Sequence, residues 1–152
     1  MIAVLEQDNN VRRIQAFLLR ADKDFTPPIS SRVDLSAYSE KLGNMAINLF
    51  IEIDGQDVGH AAVYVNDQVR HIAFLSSICV LSDCNGKRLG EQLLRQVIME
   101  CQKRAISSLR LEVNCGNKAA IAFYIRHGFV QCEALTSDRL TMTKKIEAAF
   151  SF

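Results

Sequence analysis

The chain has 152 residues, of which 49% are hydrophobic, and its formal net charge is +1. This length is typical of one domain whose core is large enough to fold without disulfide bonds or a bound metal. The charge is nearly balanced and no basic block occurs, which argues against nucleic-acid binding, because that function needs clustered positive charge.

The five cysteines are odd in number and include no C-x-x-C pair. This pattern is typical of free thiols in a reducing compartment, and we expect about three or four of them to be buried as small hydrophobic residues. The histidines show no ligand spacing with the cysteines, so we predict no metal site. Met1 to Gln7 is too short and too acidic for a signal peptide, and no apolar run approaches the ~20 residues of a membrane span. We expect a cytoplasmic protein with no membrane partner.

The N-terminal part is predicted to contain two helices joined by a proline-rich loop. Val11 to Ala21 carries apolar residues at helical spacing, with arginines between them. The adjacent prolines of Pro27-Pro28 then force an extended loop. A second helix is predicted to follow Asp34 and to end at Leu42, because Gly43 is a common helix stop.

Three strand-like segments come next and predict an antiparallel meander. Ile47 to Ile53 is rich in β-forming residues and is followed by Asp54-Gly55, a strong tight-turn pair. Val58 to Val65 is predicted to return as the partner strand, and Val69 to Leu81 to be the third strand.

The second half of the chain alternates helices with strands. Lys87 to Ala105 has one apolar stripe and predicts a long amphipathic helix. The remaining predicted elements are a strand at Ser108 to Val113, a helix at Asn117 to His127 that stops at Gly128, and strands at Phe129 to Ala134 and Arg139 to Ile146. The order is helix, helix, three strands, helix, strand, helix, two strands. It favours one α/β domain over residues 1–152, with a mixed sheet.

The segment from Val80 to Leu94 passes from a strand, through a polar loop with Gly86 and Gly90, into the amphipathic helix. That geometry directs several backbone N–H groups and the positive end of a helix dipole to one place, where anions such as phosphates bind. An ordinary strand-to-helix turn is the alternative interpretation. The loop is not a P-loop, because Gly86-Lys87 is followed by Arg88, and it is not a Rossmann fingerprint, because no βαβ unit precedes it.

This segment resembles the acetyl-CoA signature of the GNAT superfamily of N-acetyltransferases. In that family a strand ending in Val-x-Pro leads into a loop with the pattern Arg/Gln-x-x-Gly-x-Gly/Ala. Here Gly90 matches the last position, whereas Asn85 replaces Arg or Gln and Arg88 replaces the first glycine. Ser82 also replaces the common proline. Backbone N–H groups survive such replacements, and Arg88 would have to turn its side chain outward.

A second segment, Leu109 to Phe129, resembles the family more closely. It matches Leu-x-Leu-x-Val, then Asn-x-x-Ala-x-x-Phe-Tyr, then Gly-Phe, at every position. Two such motifs in the correct order are more specific than either alone, and the resemblance extends from Ala46 to about Lys145. It implies a mixed, largely antiparallel central sheet flanked by about four helices. The strands before and after the central helix are expected to splay apart.

The resemblance implies that acetyl-CoA is the co-substrate and that its pantetheine arm lies between the splayed strands. The backbone of Ile78 and Val80 would bond the arm, as in β-augmentation. The N–H groups from Asn85 to Gly90 would bind the pyrophosphate, and the Asn117 amide would bond the arm. The complete set of implied cofactor-binding residues is Ile78, Cys79, Val80, Asn85, Gly86, Lys87, Arg88, Leu89, Gly90, Glu91, Asn117, Ala120 and Tyr124.

The resemblance also implies that Tyr124 is the general acid. A neutral amine attacks the thioester directly, and the phenol protonates the leaving thiolate, provided that its surroundings help, because the unperturbed pKa values are about 10 and 8.5. Glu112 matches a glutamate that serves as the base in some relatives. Weaker candidates for the base are Ser76, Ser77 and His71, and many relatives need no dedicated base.

Other functions remain open at this stage. The departures at Asn85 and Arg88 are compatible with a non-catalytic module that binds or senses acyl-CoA. A peptide-interaction domain would use Val58 to Val65 as an open sheet edge. For an enzyme, the acceptor is a small-molecule or peptide amine, with specificity expected between Phe25 and Leu42, and the oligomeric state is monomer or homodimer. We interpret the side chains of Arg12, Arg13 and Arg32 as solvated rather than as a basic pocket for an acidic substrate.

Overall fold

In the computed structural model of the chain, residues 3–84, 88–134 and 136–148 are described. They form a seven-stranded sheet with helices on both of its faces. The helices are α1 (Val11–Ala21), α2 (Leu35–Met45), α3 (Leu89–Lys103) and α4 (Lys118–Arg126). The strands are β1 (Ala3–Gln7), β2 (Ile47–Ile53), β3 (Gln56–Asp67), β4 (Ile72–Val80), β5 (Ser108–Asn114), β6 (Val130–Ala134) and β7 (Arg139–Lys145).

The strands are arranged in the order β1-β2-β3-β4-β5-β7-β6. All neighbouring pairs are antiparallel except β4 and β5, which are parallel. The β2-β3-β4 part is the predicted meander, and the mixed, mostly antiparallel sheet with four helices is the predicted fold class.

Strands β4 and β5 separate soon after they begin. Their pairing runs only from Ile72 opposite Ser108 to Phe74 opposite Arg110, although β4 continues to Val80. Close to this point β4 has a bulge, since Ala62 pairs with Ser77 whereas Val63 pairs with Leu75. A bulge inserts one residue, bends its strand and interrupts regular pairing. The predicted splay is therefore confirmed.

Side chains alternate between two apolar clusters, one on each face of the sheet. On β2, Leu49 and Ile51 pack with α3, whereas Phe50 packs with α1 and α2. This follows from the two-residue period of a strand. Burial on both faces fixes the register of the central strands, because a slip of one residue would exchange the faces.

Capping side chains mark the starts of α1 and α2. Oδ1 of Asn10 accepts the Arg13 N–H at the start of α1, and Oδ1 of Asp34 accepts the Ala37 N–H at the start of α2. Each bond satisfies one of the N–H groups that a helix start leaves without an acceptor.

The predicted order of elements was wrong at the N-terminus, because it omitted β1. This strand is at the edge of the sheet and Val4 is 49% exposed, so no buried-face alternation marks it in the sequence. The proposed open edge at residues 58–65 was also wrong, because β3 is paired on both sides, with β2 and with β4. The third strand begins at Ile72 rather than Val69.

Gly43 does not stop α2, which continues to Met45. A Cβ at this position would lie 2.6 Å from Cγ2 of Val11 and 3.0 Å from the carbonyl oxygen of Asn9. The glycine therefore permits close approach of α2 to the start of α1, which is a packing role that helix-stop rules do not anticipate.

The expected burial of three or four cysteines was wrong. Cys101 is buried, whereas Cys79, Cys84 and Cys115 are half-buried and Cys132 is exposed. None of the five is in a disulfide. Cys79 and Cys84 remain partly accessible because they line a cavity between β4 and α3.

Candidate active site

Two cavities meet where β4 and β5 separate. The larger, called the groove below, has a volume of about 790 Å³ and lies between the end of β4, the start of α3 and α4. The smaller, called the inner cavity, has a volume of about 250 Å³ and lies between β4, β5 and the loop after α1. Both are lined by residues 78–80, Ala120 and Tyr124. Molecules bound in the two cavities would meet at this junction.

The groove offers a strand edge without a partner. From Leu75 to Val80, β4 pairs with β3 on one side, whereas its pairing with β5 has already ended at Phe74. Backbone N–H and C=O groups on this edge can therefore bond an extended ligand in the way that a further strand would. Ile78 and Val80, which the resemblance assigned to cofactor binding, line the groove.

One face of α4 forms a wall of the groove. Ala120, Phe123, Tyr124 and His127 line it at helical spacing. The Phe123 and His127 rings lie 4.5 Å apart between centroids, and the guanidinium carbon of Arg126 lies 5.8 Å from the Phe123 centroid. Arg126 and Arg88 both line the groove, which places two cations where an anionic ligand part can bind.

The start of α3 presents N–H groups to the groove. Its first hydrogen bond runs from Gln92 N–H to the Arg88 carbonyl, so Leu89, Gly90 and Glu91 precede it and lack intrahelical acceptors. A Cβ on Gly90 would lie 3.8 Å from the Phe123 ring. A side chain at this position would therefore occupy space between α3 and α4. The Leu89 side chain is only 4% exposed and belongs to the core, so its contribution to a ligand is its backbone.

Arg88 is the N-cap residue of α3 and has φ +57° and ψ +26°. This left-handed conformation favours glycine, because a side chain collides with the backbone there. The geometry explains why glycine is usual at this position of the loop. Arg88 is exposed, as the resemblance required, and it lines the groove.

Ser82 stands where the signature usually has proline, and its N–H donates to Oδ2 of Asp24 at 3.2 Å. Proline has no N–H and could not form this bond. Asp24 follows α1, so the bond joins the loop after α1 to the end of β4. Both Asp24 and the neighbouring Phe25 line the inner cavity.

Tyr124 is 8% exposed at the junction of the two cavities. Its ring makes edge contacts with Phe123 and Phe129, at centroid distances of 5.5 Å and 5.4 Å. Burial raises the pKa of the phenol, and the nearby Cys79 raises it further. The phenol therefore keeps its proton and can donate it at neutral pH.

Cys79 lies near Tyr124 and lines both cavities. Burial raises the pKa of its thiol to about 12, and the Asp24 carboxylate raises it further. A thiol with such a pKa is not a thiolate at neutral pH and is a poor nucleophile.

The bulge in β4 turns two hydroxyls toward α2. The Tyr38 hydroxyl is hydrogen-bonded to Ser76 Oγ at 2.5 Å. The pKa of Tyr38 is raised by burial and is lowered to a lesser extent by the serine hydroxyls. Ser77 Oγ is buried, lies near Tyr38 without hydrogen-bond geometry, and has no partner among the described residues. Both serines line the inner cavity.

Glu112 and Arg139 lie together on the β5 and β7 side of the inner cavity. Oε1 of Glu112 is 3.7 Å from Nε of Arg139, which is an ion pair beyond hydrogen-bond length. Asn117 also lines this cavity, and it caps α4 by accepting the Ala120 N–H at 3.2 Å. Its amide NH₂ group is not used in that bond and can donate elsewhere.

Most of the residues assigned to the site from the sequence line the groove or the inner cavity. Those that line one or both cavities are Ser76, Ser77, Ile78, Cys79, Val80, Arg88, Leu89, Gly90, Glu91, Glu112, Asn117, Ala120 and Tyr124. The assignments of Asn85, Gly86 and Lys87 lie outside the described residues. His71 precedes Ile72 at the opposite end of β4 and lines neither cavity, which removes it as a base at this site.

Sequence reasoning missed several residues of the site. Residues not assigned from the sequence include Asp24, Cys84, Arg126, His127 and Arg139. His127, the residue after α4, could have been found, because it follows Tyr124 by three positions and therefore lies on the same face. Arg32, interpreted from the sequence as solvated, lines the inner cavity although it is exposed. Arg13 is part of the framework instead, since it bonds Asp57 at 2.7 Å and Asp8 at 3.0 Å.

The described residues show neither a metal site nor a membrane-spanning helix. Within residues 3–84, 88–134 and 136–148, no group of three or more His, Cys, Asp or Glu side chains is placed to hold a metal ion. In the same part of the chain, no helix has the length and apolar character needed to span a membrane.

Comparison with known proteins places this geometry in a family. Over 106 residues the chain is 34% identical to the [ribosomal protein bS18]-alanine N-acetyltransferase of Escherichia coli. The aligned part covers 66% of this chain and 70% of that protein. It is 33% identical over 99 residues to an uncharacterized N-acetyltransferase of Methanocaldococcus jannaschii, covering 62% of this chain. The aligned part spans 43% of that archaeal protein's length.

A solved structure shares the fold. The PaiA N-acetyltransferase of Thermoplasma acidophilum, solved in complex with coenzyme A, superposes with a TM-score of 0.77 at 18% identity. The superposition covers 95% of this chain and 99% of that one. The model of the acetyltransferase (GNAT) family matches residues 15–129, which contain both motifs and the whole junction of the cavities. The chain therefore belongs to the GNAT family of acetyltransferases.

Proposed function

We propose that residues 1–152 form one cytoplasmic N-acetyltransferase domain that transfers an acetyl group from acetyl-CoA to the primary amine of a small molecule or a peptide. The observation that carries the proposal is the junction of the groove with the inner cavity at Tyr124. A donor in one cavity and an acceptor in the other would meet beside a buried phenol.

The groove fits acetyl-CoA in shape and in chemistry. The free edge of β4 at Ile78 and Val80 suits the amide-containing pantetheine arm, and the start of α3 with Arg88 and Arg126 suits its phosphates. The remaining residues proposed to hold the cofactor are Cys79, Asn85, Gly86, Lys87, Leu89, Gly90, Glu91, Asn117 and Ala120. Acetyl-CoA supplies the acetyl group as a thioester.

Transfer by direct attack of the amine suits this site better than transfer through a cysteine. The thiol at the junction is Cys79, and burial raises its pKa to about 12, so it is protonated at neutral pH. In the direct reaction the amine nitrogen bonds to the acetyl carbon, the carbon–sulfur bond breaks, and the sulfur needs a proton. Tyr124 is the proposed donor of that proton, because it is protonated and lies at the junction.

Glu112 is the proposed acceptor of the amine proton, directly or through water. It lines the inner cavity, and Arg139 lies 3.7 Å from its carboxylate. Since the contact is longer than a hydrogen bond, the carboxylate oxygens remain available to the amine or to a bridging water. Ser76 is a less suitable base, because its hydroxyl is bonded to Tyr38.

The similarity to an enzyme named for an alanine of a ribosomal protein makes peptide α-amines the first class to examine. The inner cavity opens beside Phe25 and Thr26 of the proline-rich loop, where the sequence predicted acceptor specificity. Small amines and amino sugars belong in the same panel, because the cavity volume of about 250 Å³ also accommodates them.

Two measurements test the proposal. Acetyl-CoA at about 100 times its dissociation constant is expected to stabilise the protein by roughly 2.7 kcal/mol, which a thermal melt detects, with ATP as the control for phosphate binding alone. Release of free coenzyme A is then followed with an amine panel that includes peptides beginning with alanine. Absence of any acetyl-CoA shift contradicts the proposal, whereas binding without turnover on any amine would support a non-catalytic acyl-CoA sensor instead.

A further inference from the structure

The inner cavity carries an excess of positive charge on one wall. Arg32 and Arg139 both line it, with Glu112 as the carboxylate closest to Arg139, at 3.7 Å. Burial lowers the pKa of Arg32 and the charge of Arg139 lowers it further, while Glu112 partly offsets these effects, so the two guanidinium groups are close enough to repel each other beside one carboxylate. An anion between them would relieve that repulsion.

The two arginines have hydrogen-bonding capacity to spare. Within the described part of the chain, neither guanidinium donates a hydrogen bond to another protein group, and Arg32 has no ion-pair partner. A guanidinium carries five N–H donors in a planar fork that matches a carboxylate. By contrast, Arg13 is saturated by Glu6, Asp8, Glu52 and Asp57. Arg32 and Arg139 therefore have donors available for an anion in the cavity, whereas Arg13 has none.

Arg32 is held at the cavity by an ordered loop. The Asp22 carboxylate accepts the Ser30 N–H at 2.8 Å and the Ser30 hydroxyl at 2.6 Å, and Ile29 is 2% exposed in the core below. The Arg32 N–H donates to the Ile29 carbonyl at 3.0 Å. Arg139 is fixed independently as the first residue of β7, opposite Asn114. Two separate parts of the fold thus direct cations to one cavity.

The carboxylates of the cavity are distributed unequally. Asp24 lies near the C-terminal end of β4, where its carboxylate accepts the Ser82 N–H and raises the pKa of the Cys79 thiol at the junction. Glu112 lines the cavity next to Arg139, with its Oε1 atom 3.7 Å from Nε of Arg139. An amine placed at the junction therefore has carboxylates near it, while a negative group on the same molecule would face Arg32 and Arg139.

We propose that the acceptor of this enzyme carries a carboxylate close to its amine, and that Arg32 and Arg139 bind that carboxylate. The inference rests on the proposed acetyl transfer and adds the class of acceptor. A free acidic amino acid and a peptide whose second residue is acidic share this chemistry. Arg32 and Arg139 act in binding, and the acetyl transfer itself does not involve them.

The test compares acceptors that differ only in charge. One pair is Ala-Glu amide and Ala-Gln amide, and the other is glutamate α-amide and glutamine α-amide, so that the neutral member of each pair has no carboxylate. Calorimetry measures their affinities for the protein with and without coenzyme A, and release of coenzyme A gives kcat/KM. The acidic member of at least one pair is expected to bind about 10–100-fold more tightly, as a charge-assisted hydrogen bond implies. The pair that shows the preference distinguishes the peptide from the free amino acid.

Variants assign the effect to the arginines. R32Q and R139Q are expected to reduce affinity for the acidic acceptor about 10-fold or more while leaving affinity for its amide within about 2-fold, and R139K is expected to recover part of the loss. R12Q is the control, because Arg12 is exposed and lines neither cavity.

The proposal would be overturned if the protein bound the acidic acceptor and its amide equally, preferred the amide, or bound neither. It would also be overturned if R12Q lowered affinity for the acidic acceptor as much as R32Q and R139Q do. If the proposed acetyl transfer is wrong, acetyl-CoA will not raise the melting temperature. That result is separate from the acceptor affinities, because these are also measured without coenzyme A.

Discussion

The backbone N–H of Ser82 donates to the carboxylate of Asp24 at 3.2 Å, at the position where the GNAT signature usually has proline. We expect S82P and D24A each to lower the free energy of unfolding by about 1 kcal/mol, because each removes the same charge-assisted hydrogen bond. The double variant should lose little more than either single variant. Urea denaturation in a double-mutant cycle measures the coupling. Fully additive effects would mean that the bond contributes nothing to stability.

Tyr124 is expected to act in the chemical step rather than in binding. Y124F should lower kcat by about 10–1000-fold and leave acetyl-CoA affinity nearly unchanged, as expected for loss of a general acid. Y64F is the matched control, because Tyr64 lines neither cavity. Loss of acetyl-CoA binding with an unchanged kcat would show that the phenol has no acid role.

The raised pKa of Tyr124 predicts how kcat depends on pH. Burial raises the pKa of the phenol, so the protonated form that donates persists beyond the ordinary pKa of about 10. We therefore expect kcat of the wild type to show no decrease from deprotonation of this group between about pH 7 and pH 10. A fall within that range that is absent in Y124F would contradict the assignment.

Arg88 has two opposite effects. Its backbone conformation lowers stability, and its positive charge lies at the groove where an anion can bind. R88G should raise the free energy of unfolding by about 1 kcal/mol, because φ is +57° at this position. It should also weaken acetyl-CoA binding, because the positive charge is lost. R88A separates the two effects, since it removes the charge but keeps the Cβ. Thermal melts with and without acetyl-CoA should show similar weakening of binding in both variants and a stability gain in R88G alone.

His60 makes stability depend on pH. Its Nε2 is 3.0 Å from Oδ1 of the buried Asn48, and burial lowers its pKa to about 3. Below the unfolded-state pKa of about 6.5 the unfolded chain binds the proton and the folded chain does not. The free energy of unfolding should therefore fall by up to about 1.4 kcal/mol per pH unit as pH decreases from about 6.5 toward 3.

The variant H60Q isolates this contribution, because glutamine can donate to Asn48 but does not titrate. Urea denaturation of both proteins between about pH 7 and pH 5 should show a steeper loss of stability in the wild type. Parallel curves would mean that His60 does not control the pH dependence. The comparison also removes the contribution of carboxylates such as Asp8, whose pKa is lowered by the Arg13 hydrogen bond in both proteins.

Gly43 should tolerate no Cβ, although alanine is the better helix former by roughly 1 kcal/mol. G43A would bring a Cβ to within 2.6 Å of Val11, and overpacking of this kind costs about 1–3 kcal/mol. We expect a lower melting temperature for G43A and an unchanged or higher one for E40A at an exposed position of the same helix. A stabilised G43A would show that α1 moves away from α2 at little cost.

The sequence alone determined the fold class and the family. The apolar stripe of α3, the alternation in β2 and the complete motif from Leu109 to Phe129 are local patterns, and local patterns carry the period of each element. They predicted α3, β5 and α4 in the order that the structure has. Strand β1 was not predicted from the sequence, because an exposed edge strand has no buried face to mark it.

Only the tertiary structure decided which distant side chains share a cavity. Asp24 and Ser82 are 58 positions apart, and their contact depends on how the loop after α1 crosses the end of β4. Arg32 and Arg139 belong to a loop and a strand from opposite ends of the chain. No periodicity relates such residues, because their proximity arises from sheet order and from the separation of β4 and β5 after Phe74.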